Sequence, residues 1–154
     1  MHRRPRLRAA FAALALLPVL ALAAACSDSV RATVPPSGAD PACTRLGGTL
    51  PSTLLKAKRR QTTPSSPALA AWGDPAIVLR CGVDPPGPTP ELCIAVDGVD
   101  WVARALDSGY DFTTYGRVPA VQVLVPKHYA PETFALTGLA AAVKAIPQGE
   151  HRCS

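Results

Sequence analysis

Arg3, Arg4, Arg6 and Arg8 crowd the first eight residues, and the next charge lies beyond Ala25. Between them, Ala9 to Ala25 is wholly apolar, with Pro18 its one break. At ~1.5 Å per residue these 17 positions would make roughly 25 Å of helix, short of a ~30 Å hydrocarbon core. The pattern is that of a secretory signal over 1–25 and not of a permanent span. An exported chain folds where thiols oxidise, so its remaining cysteines are expected to act as covalent restraints on the fold.

The run ends Leu22-Ala23-Ala24-Ala25-Cys26. This resembles the lipobox of bacterial lipoproteins, whose cysteine is acylated before cleavage. The same residues also satisfy ordinary secretory cleavage, which would leave Cys26 first and free. Parity favours the lipid. Without Cys26 the exported part keeps an even set, Cys43, Cys81, Cys93 and Cys153. One acyl chain anchors marginally, so two or three would be needed to hold the protein on the outer face of the cytoplasmic membrane. The signal also explains the charge. Of 16 basic residues four lie in it, leaving 12 against 11 acidic ones. A nucleic-acid partner is therefore not expected.

Residues 26–42 read as the lipidated Cys26 and a flexible tether, because SDSVRATVPPSGADPA has no apolar period. Sixteen such residues reach roughly 20–24 Å. Residues 43–154 read as a single domain. Pro51 to Gln61 suggests a short helix, Ala76 to Val83 a strand, and Asp84 to Glu91 a proline-rich loop. Leu92 to Val96 resumes a strand. Asp97-Gly98 signals a two-residue hairpin turn, with Val96 facing Val99 and Ile94 facing Trp101. Ser108-Gly109 is a second turn before Tyr110 to Tyr115. Ala120 to Val125 sets Val121, Val123 and Val125 on one face. Pro131 to Ile146 then takes a helical period, with Gly138 reserved for a close approach. The expectation is an α+β domain: a mainly antiparallel sheet of four to five short strands flanked by two helices and stapled by disulfides.

Four cysteines allow three connectivities. Cys81 and Cys93 flank the proline-rich loop on consecutive strands, which suggests Cys81–Cys93 and Cys43–Cys153. A zinc site built from all four cysteines is disfavoured, since no two of them are closer than 12 positions.

No catalytic motif stands out, and no cofactor or metal is implied. Past the signal the histidines are His128 and His151. His128 with Asp or Glu residues is the one route to an envelope hydrolase or metal-assisted enzyme. Asp84, Glu91, Asp97 and Asp100 carry oxygens for a cation but match no calcium loop. Lys56, Lys58, Arg59 and Arg60 read first as the solvated basic end of a helix, and otherwise as a contact for anionic lipid or an anionic wall polymer. Trp72, Arg80, Tyr115 and Arg117 are candidates for a ligand groove, aromatics and Arg being enriched at recognition sites; core packing competes with that.

The segments WGDPAIVLRCG (Trp72 to Gly82), DGVDWV (Asp97 to Val102), FTTYGR (Phe112 to Arg117) and VPKHY (Val125 to Tyr129), in this order, are similar to a family of small exported lipoproteins of actinobacteria whose domain has no assigned function. The resemblance covers about Cys43 to Cys153. It implies a signal peptide, a lipidated Cys26 and an envelope location, and no activity, catalytic residue or cofactor. The resulting expectation is a non-catalytic binding module, its partner another envelope protein or a wall or lipid component.

Overall fold

The computed structural model describes residues 29–154, so the signal segment and Cys26 lie outside the described residues. Ten strands and two helices follow in the order β1 (Val30–Arg31), α1 (Pro41–Thr49), β2 (Thr53–Leu54), β3 (Ala57–Arg60), β4 (Thr62–Thr63), β5 (Leu69–Trp72), β6 (Ile77–Val83), β7 (Leu92–Val96), β8 (Val99–Leu106), β9 (Gly109–Thr114), β10 (Ala120–Pro126) and α2 (Phe134–Val143). Eight strands form one open antiparallel sheet ordered β2-β3-β5-β6-β10-β9-β8-β7, and β1 pairs in parallel with β4. The fold is α+β as expected, with more strands than the four to five anticipated.

Strand alternation divides this sheet into two unlike faces. On one, Trp72, Ile77, Leu79, Val121, Val123, Phe112, Val99 and Trp101 merge with Leu46 of α1 and Leu136, Leu139 and Val143 of α2 into one core. Both helices thus contribute to the same layer. The hairpin at Asp97-Gly98 has the expected register, Val96↔Val99 and Ile94↔Trp101. Gly138 also behaves as expected: a Cβ there would stand 2.5 Å from Leu54 Cδ1.

Three expectations are corrected. Pro51 to Gln61 is not a helix. Leu55 and Lys56 take positive φ (49° and 66°) and turn β2 back onto β3, with Leu54 opposite Ala57. Burial of Leu54 against α2 overrides the helix propensity of LLKAKRR. The first helix lies earlier, with Pro41 in its first turn and Asp40 Oδ1 accepting from Ala42 N at 2.7 Å.

The supposed tether is bound from Ser29 onward. Ser29 Oγ is hydrogen-bonded to Thr63 Oγ1, Val30 N donates to Gln61 O (2.9 Å), Ala32 N to Thr63 O (3.2 Å) and Ser37 N to Gly82 O (3.0 Å). Pro35 and Gly38 are buried.

All four exported cysteines are in disulfides, but as Cys43–Cys81 and Cys93–Cys153. The expected Cys81–Cys93 bond cannot form. Chain-consecutive β6 and β7 are four positions apart in the sheet, ~19 Å at ~4.8 Å per strand. Cys81 also faces the helices, whereas Cys93, opposite Val102, points to the other face. Two disulfides mark an oxidising, extracytoplasmic setting. Among the described residues, no helix is long and apolar enough to cross a membrane.

Candidate functional site

The helix-free face of the sheet carries the candidate site. Register places Arg80 beside Gln122, Gln122 beside Thr113, Asp111 beside Arg104, and Thr113 beside Val102. These side chains belong to four neighbouring strands, β6, β10, β9 and β8, and alternate with residues that enter the core.

Above them runs the Asp84 to Glu91 segment. Each pairing from β6 to β7 is antiparallel, so these outermost two are parallel to each other. The chain leaving Val83 must therefore cross three intervening strands and also return along the sheet. That diagonal is ~23 Å from the strand spacing and rise. Four prolines in eight residues suit the crossing, since a polyproline II path gains ~3.1 Å per residue and needs no ladder hydrogen bonds. The crossover and the sheet bound a groove of about 260 Å3 lined by Val83, Asp84, Pro86 and Glu91 above and Val102, Arg104, Asp111, Thr113 and Gln122 below.

Asp111 organises the floor. It is only 4% exposed, and its Oδ2 accepts from Arg104 Nη2 at 2.6 Å and from Gln122 Nε2 at 3.0 Å. Its Oδ1 is buried with no hydrogen-bond partner among the described residues, as are Gln122 Oε1 and Arg80 Nε. A buried polar atom left unpaired costs about 1–3 kcal/mol, so such a set marks either stored instability or a place where a ligand completes the bonding. Two of the three unpaired atoms are acceptors. Asp84 and Glu91 add carboxylates from the crossover, and among the described residues no aromatic ring lines the groove. The volume lies below the ~300–1,000 Å3 of a typical small-molecule site. The space fits one side-chain-sized group rich in hydrogen-bond donors.

The four residues proposed for a groove do not line one together. Trp72 is fully buried on the helix side, its Nε1 donating to Pro51 O at 2.9 Å. Arg117 is 4% exposed and braces the end of the α2 segment, donating to Ile146 O and, at 3.4 Å, to Gly98 O. Burial lowers its pKa, Asp100 counteracts that, and Arg152 adds to it. Tyr115 meets His151 of the C-terminal tail edge-on, ring centroids 5.4 Å apart. Arg80 alone reaches the helix-free face, beside Gln122.

His128 is exposed in a short 3-10 turn, Lys127–Tyr129, with its ring edge-on to Tyr129 at 4.9 Å. It shares an open depression of about 660 Å3 with Pro75, Asp107, Ser108, Pro126 and Lys127. Asp84, Glu91 and Asp111 line the separate groove, Asp97 lies in the β7–β8 turn and Asp100 follows it on β8, so among the described residues Asp107 is the one carboxylate that lines the depression of His128. Among the described residues, no group of three or more His, Cys, Asp or Glu is placed to hold a metal ion. Lys56, Lys58, Arg59 and Arg60 sit at the β2–β3 turn and on β3 instead of at a helix end.

Residues 8–151 match the family model described as "Protein of unknown function (DUF3515)". Neither the comparison with curated proteins nor that with solved structures finds a match.

Proposed function

We propose that this chain, which belongs to the DUF3515 family, is an exported lipoprotein whose oxidised domain acts by binding. Acyl chains on Cys26 hold it at the outer face of the cytoplasmic membrane. The groove beneath the Asp84 to Glu91 crossover receives a cationic, donor-rich group such as a lysine or arginine side chain of another envelope protein. The Leu22 to Cys26 sequence and the two disulfides support the address.

One observation carries the binding role: Asp111 is buried under two carboxylate-bearing loop positions with one oxygen already committed and the other unpaired. A partner's N–H donors would satisfy Oδ1 and Gln122 Oε1 together. Arg104 balances the charge on Asp111, so Asp84 and Glu91 are left to attract a cation.

The test is site-specific photo-crosslinking in native cells, with the probe at Thr113 in the groove or at Thr137 on the exposed side of α2. A discrete protein adduct is expected from Thr113, none from Thr137, and loss of the Thr113 adduct in Asp111→Asn, whose folding at the crosslinking temperature is checked by a cooperative thermal melt. Equal labelling at both positions, or an adduct indifferent to Asp111→Asn, would refute the groove reading.

A further inference from the structure

We infer that the β1–β4 corner, with the basic residues around the β2–β3 turn, is a docking face for an anionic bilayer, so that the anchored domain lies in one orientation on the membrane instead of swinging on a leash. The inference rests on the lipid-anchor reading of Cys26. Its own evidence is the way the N-terminal segment is fastened. Ser29 is only three positions after Cys26, and three residues span at most ~11 Å fully extended. Ser29 itself is bound to Thr63, and Val30 donates to Gln61. The acyl-bearing end is therefore confined to the neighbourhood of this corner.

Strand polarity gives the direction. β1 runs parallel to β4, with Val30 opposite Thr62 and Arg31 opposite Thr63. From Arg31 to Val30, β1 heads the same way as the step from Thr63 to Thr62, which leads back along the chain to Arg60, Arg59 and Lys58. Lys56, Lys58, Arg59 and Arg31 are all exposed there. Arg59 lies over the Trp72 ring at 5.4 Å, which holds its guanidinium at the rim of the sheet. Arg60 is engaged inward, donating to Gly73 O at 2.9 Å with Asp74 3.9 Å away, and is not counted in the face. Arg31 lies five positions after the anchor, and Arg59, Lys58 and Lys56 lie two, three and five positions before the Gln61 that holds Val30. All four are thus at the end of the domain to which the anchor is tied, where charges within a Debye length of ~8–10 Å of the headgroups act on them. Each near an anionic surface is worth about fivefold in association, and the anchor already supplies the proximity. Free anionic solutes would meet the same charges, but the fastening of Ser29 makes lipid headgroups the source always in reach.

Lysine footprinting of the full, natively acylated protein in vesicles reads the orientation directly. Lys144 is the internal reference, because it lies on the helix side near the β7–β8 turn. That turn closes β8, five strand positions from β3, or ~24 Å. In phosphatidylglycerol vesicles, acylation of Lys56 and Lys58 by a water-soluble reagent is expected to slow at least threefold relative to Lys144. The protection should vanish in phosphatidylcholine vesicles and fall in 1 M salt, and Arg31→Gln/Arg59→Gln should weaken it. Equal rates at the three lysines in both lipids would overturn the docking face. The mass of the N-terminal peptide is read in the same digest. An unacylated Cys26 there defeats the anchor and the docking premise together, whereas an acylated Cys26 with no protection defeats the docking alone.

Discussion

Deleting Cys43–Cys81 should destabilise the domain more than deleting Cys93–Cys153, although loop entropy ranks them the other way. The bonds close separations of 38 and 60 positions, worth roughly 3.9 and 4.3 kcal/mol in the chain-entropy treatment. The difference, about 0.4 kcal/mol, is small against what burial adds. Cys43 and Cys81 are both 0% exposed, so Cys43→Ala/Cys81→Ala also removes two sulfurs from the core, roughly 2 kcal/mol for transfer and cavity together. The total is about 6 kcal/mol, comparable with the whole net stability of a small domain.

Cys93 and Cys153 are half-buried, and the tail they hold keeps Gly149 N on Gly116 O (2.6 Å) and Gln148 Nε2 on Tyr115 O (3.0 Å). Once released it can fray without opening the sheet, so about 4.3 kcal/mol is a ceiling for Cys93→Ala/Cys153→Ala. Urea unfolding followed by the fluorescence of the buried Trp72 and Trp101 measures both variants, and non-reducing peptide mapping checks the pairing. A less stable Cys93/Cys153 variant would refute the reasoning, and a Cys81–Cys93 peptide would refute the topology beneath it.

Gly82→Ala should cost about 2–4 kcal/mol, from strain at its φ of +98° and from a Cβ driven into the Ser37–Gly38 backbone. A thermal melt lowered by less than roughly 4 °C would contradict that packing. Tyr129 donates its hydroxyl to Pro75 O at 2.9 Å, and burial first, then Asp74, raises its pKa above the ordinary value of 10.0. A raised folded pKa contributes stability that is complete below about pH 10 and lost as pH rises through the folded value. Thermal melts from pH 8 to 11.5 should therefore show the wild type losing stability above pH 10 more steeply than Tyr129→Phe, and parallel profiles would rule the effect out.

Local chemistry in the sequence was enough to find the hairpin at Asp97-Gly98, the Val121/Val123/Val125 face and the role of Gly138. Asp-Gly turns and period-two valines act over a few residues. The elements whose local sequence suggests a different structure depend on distant partners. LLKAKRR becomes a hairpin because Leu54 finds α2, more than eighty positions away. The N-terminal segment binds because a two-residue strand, too short to show a period, meets β4. Cys81 and Cys93 lie on consecutive strands in chain order but four positions apart in sheet order. The groove was illegible for the same reason: Arg104, Asp111, Thr113 and Gln122 meet only through the register of three strands. A weak trace was present in Gln122, which interrupts the alternation of Val121 and Val123, and in Asp111 beside Phe112, both polar residues on the parity opposite the core.

The disulfides and the groove are parts of one arrangement. The Asp84 to Glu91 crossover has almost no hydrogen bonding of its own, because its prolines lack donors and its path leaves the ladder. Its position therefore depends on its two ends. Cys81 lies three residues before Asp84 and is bonded to α1, and Cys93 lies two residues after Glu91 and is bonded to the C-terminal tail. Each end is thus fixed by a covalent link to a different part of the fold, on opposite faces of the sheet. A crossover held in this way keeps Asp84 and Glu91 above Asp111 without a conformational search at each encounter, which lowers the ordering cost of binding. The groove is then a property of the oxidised protein. In a reducing compartment the same sequence would lose both restraints, and with them stabilisation comparable with the whole net stability of a small domain.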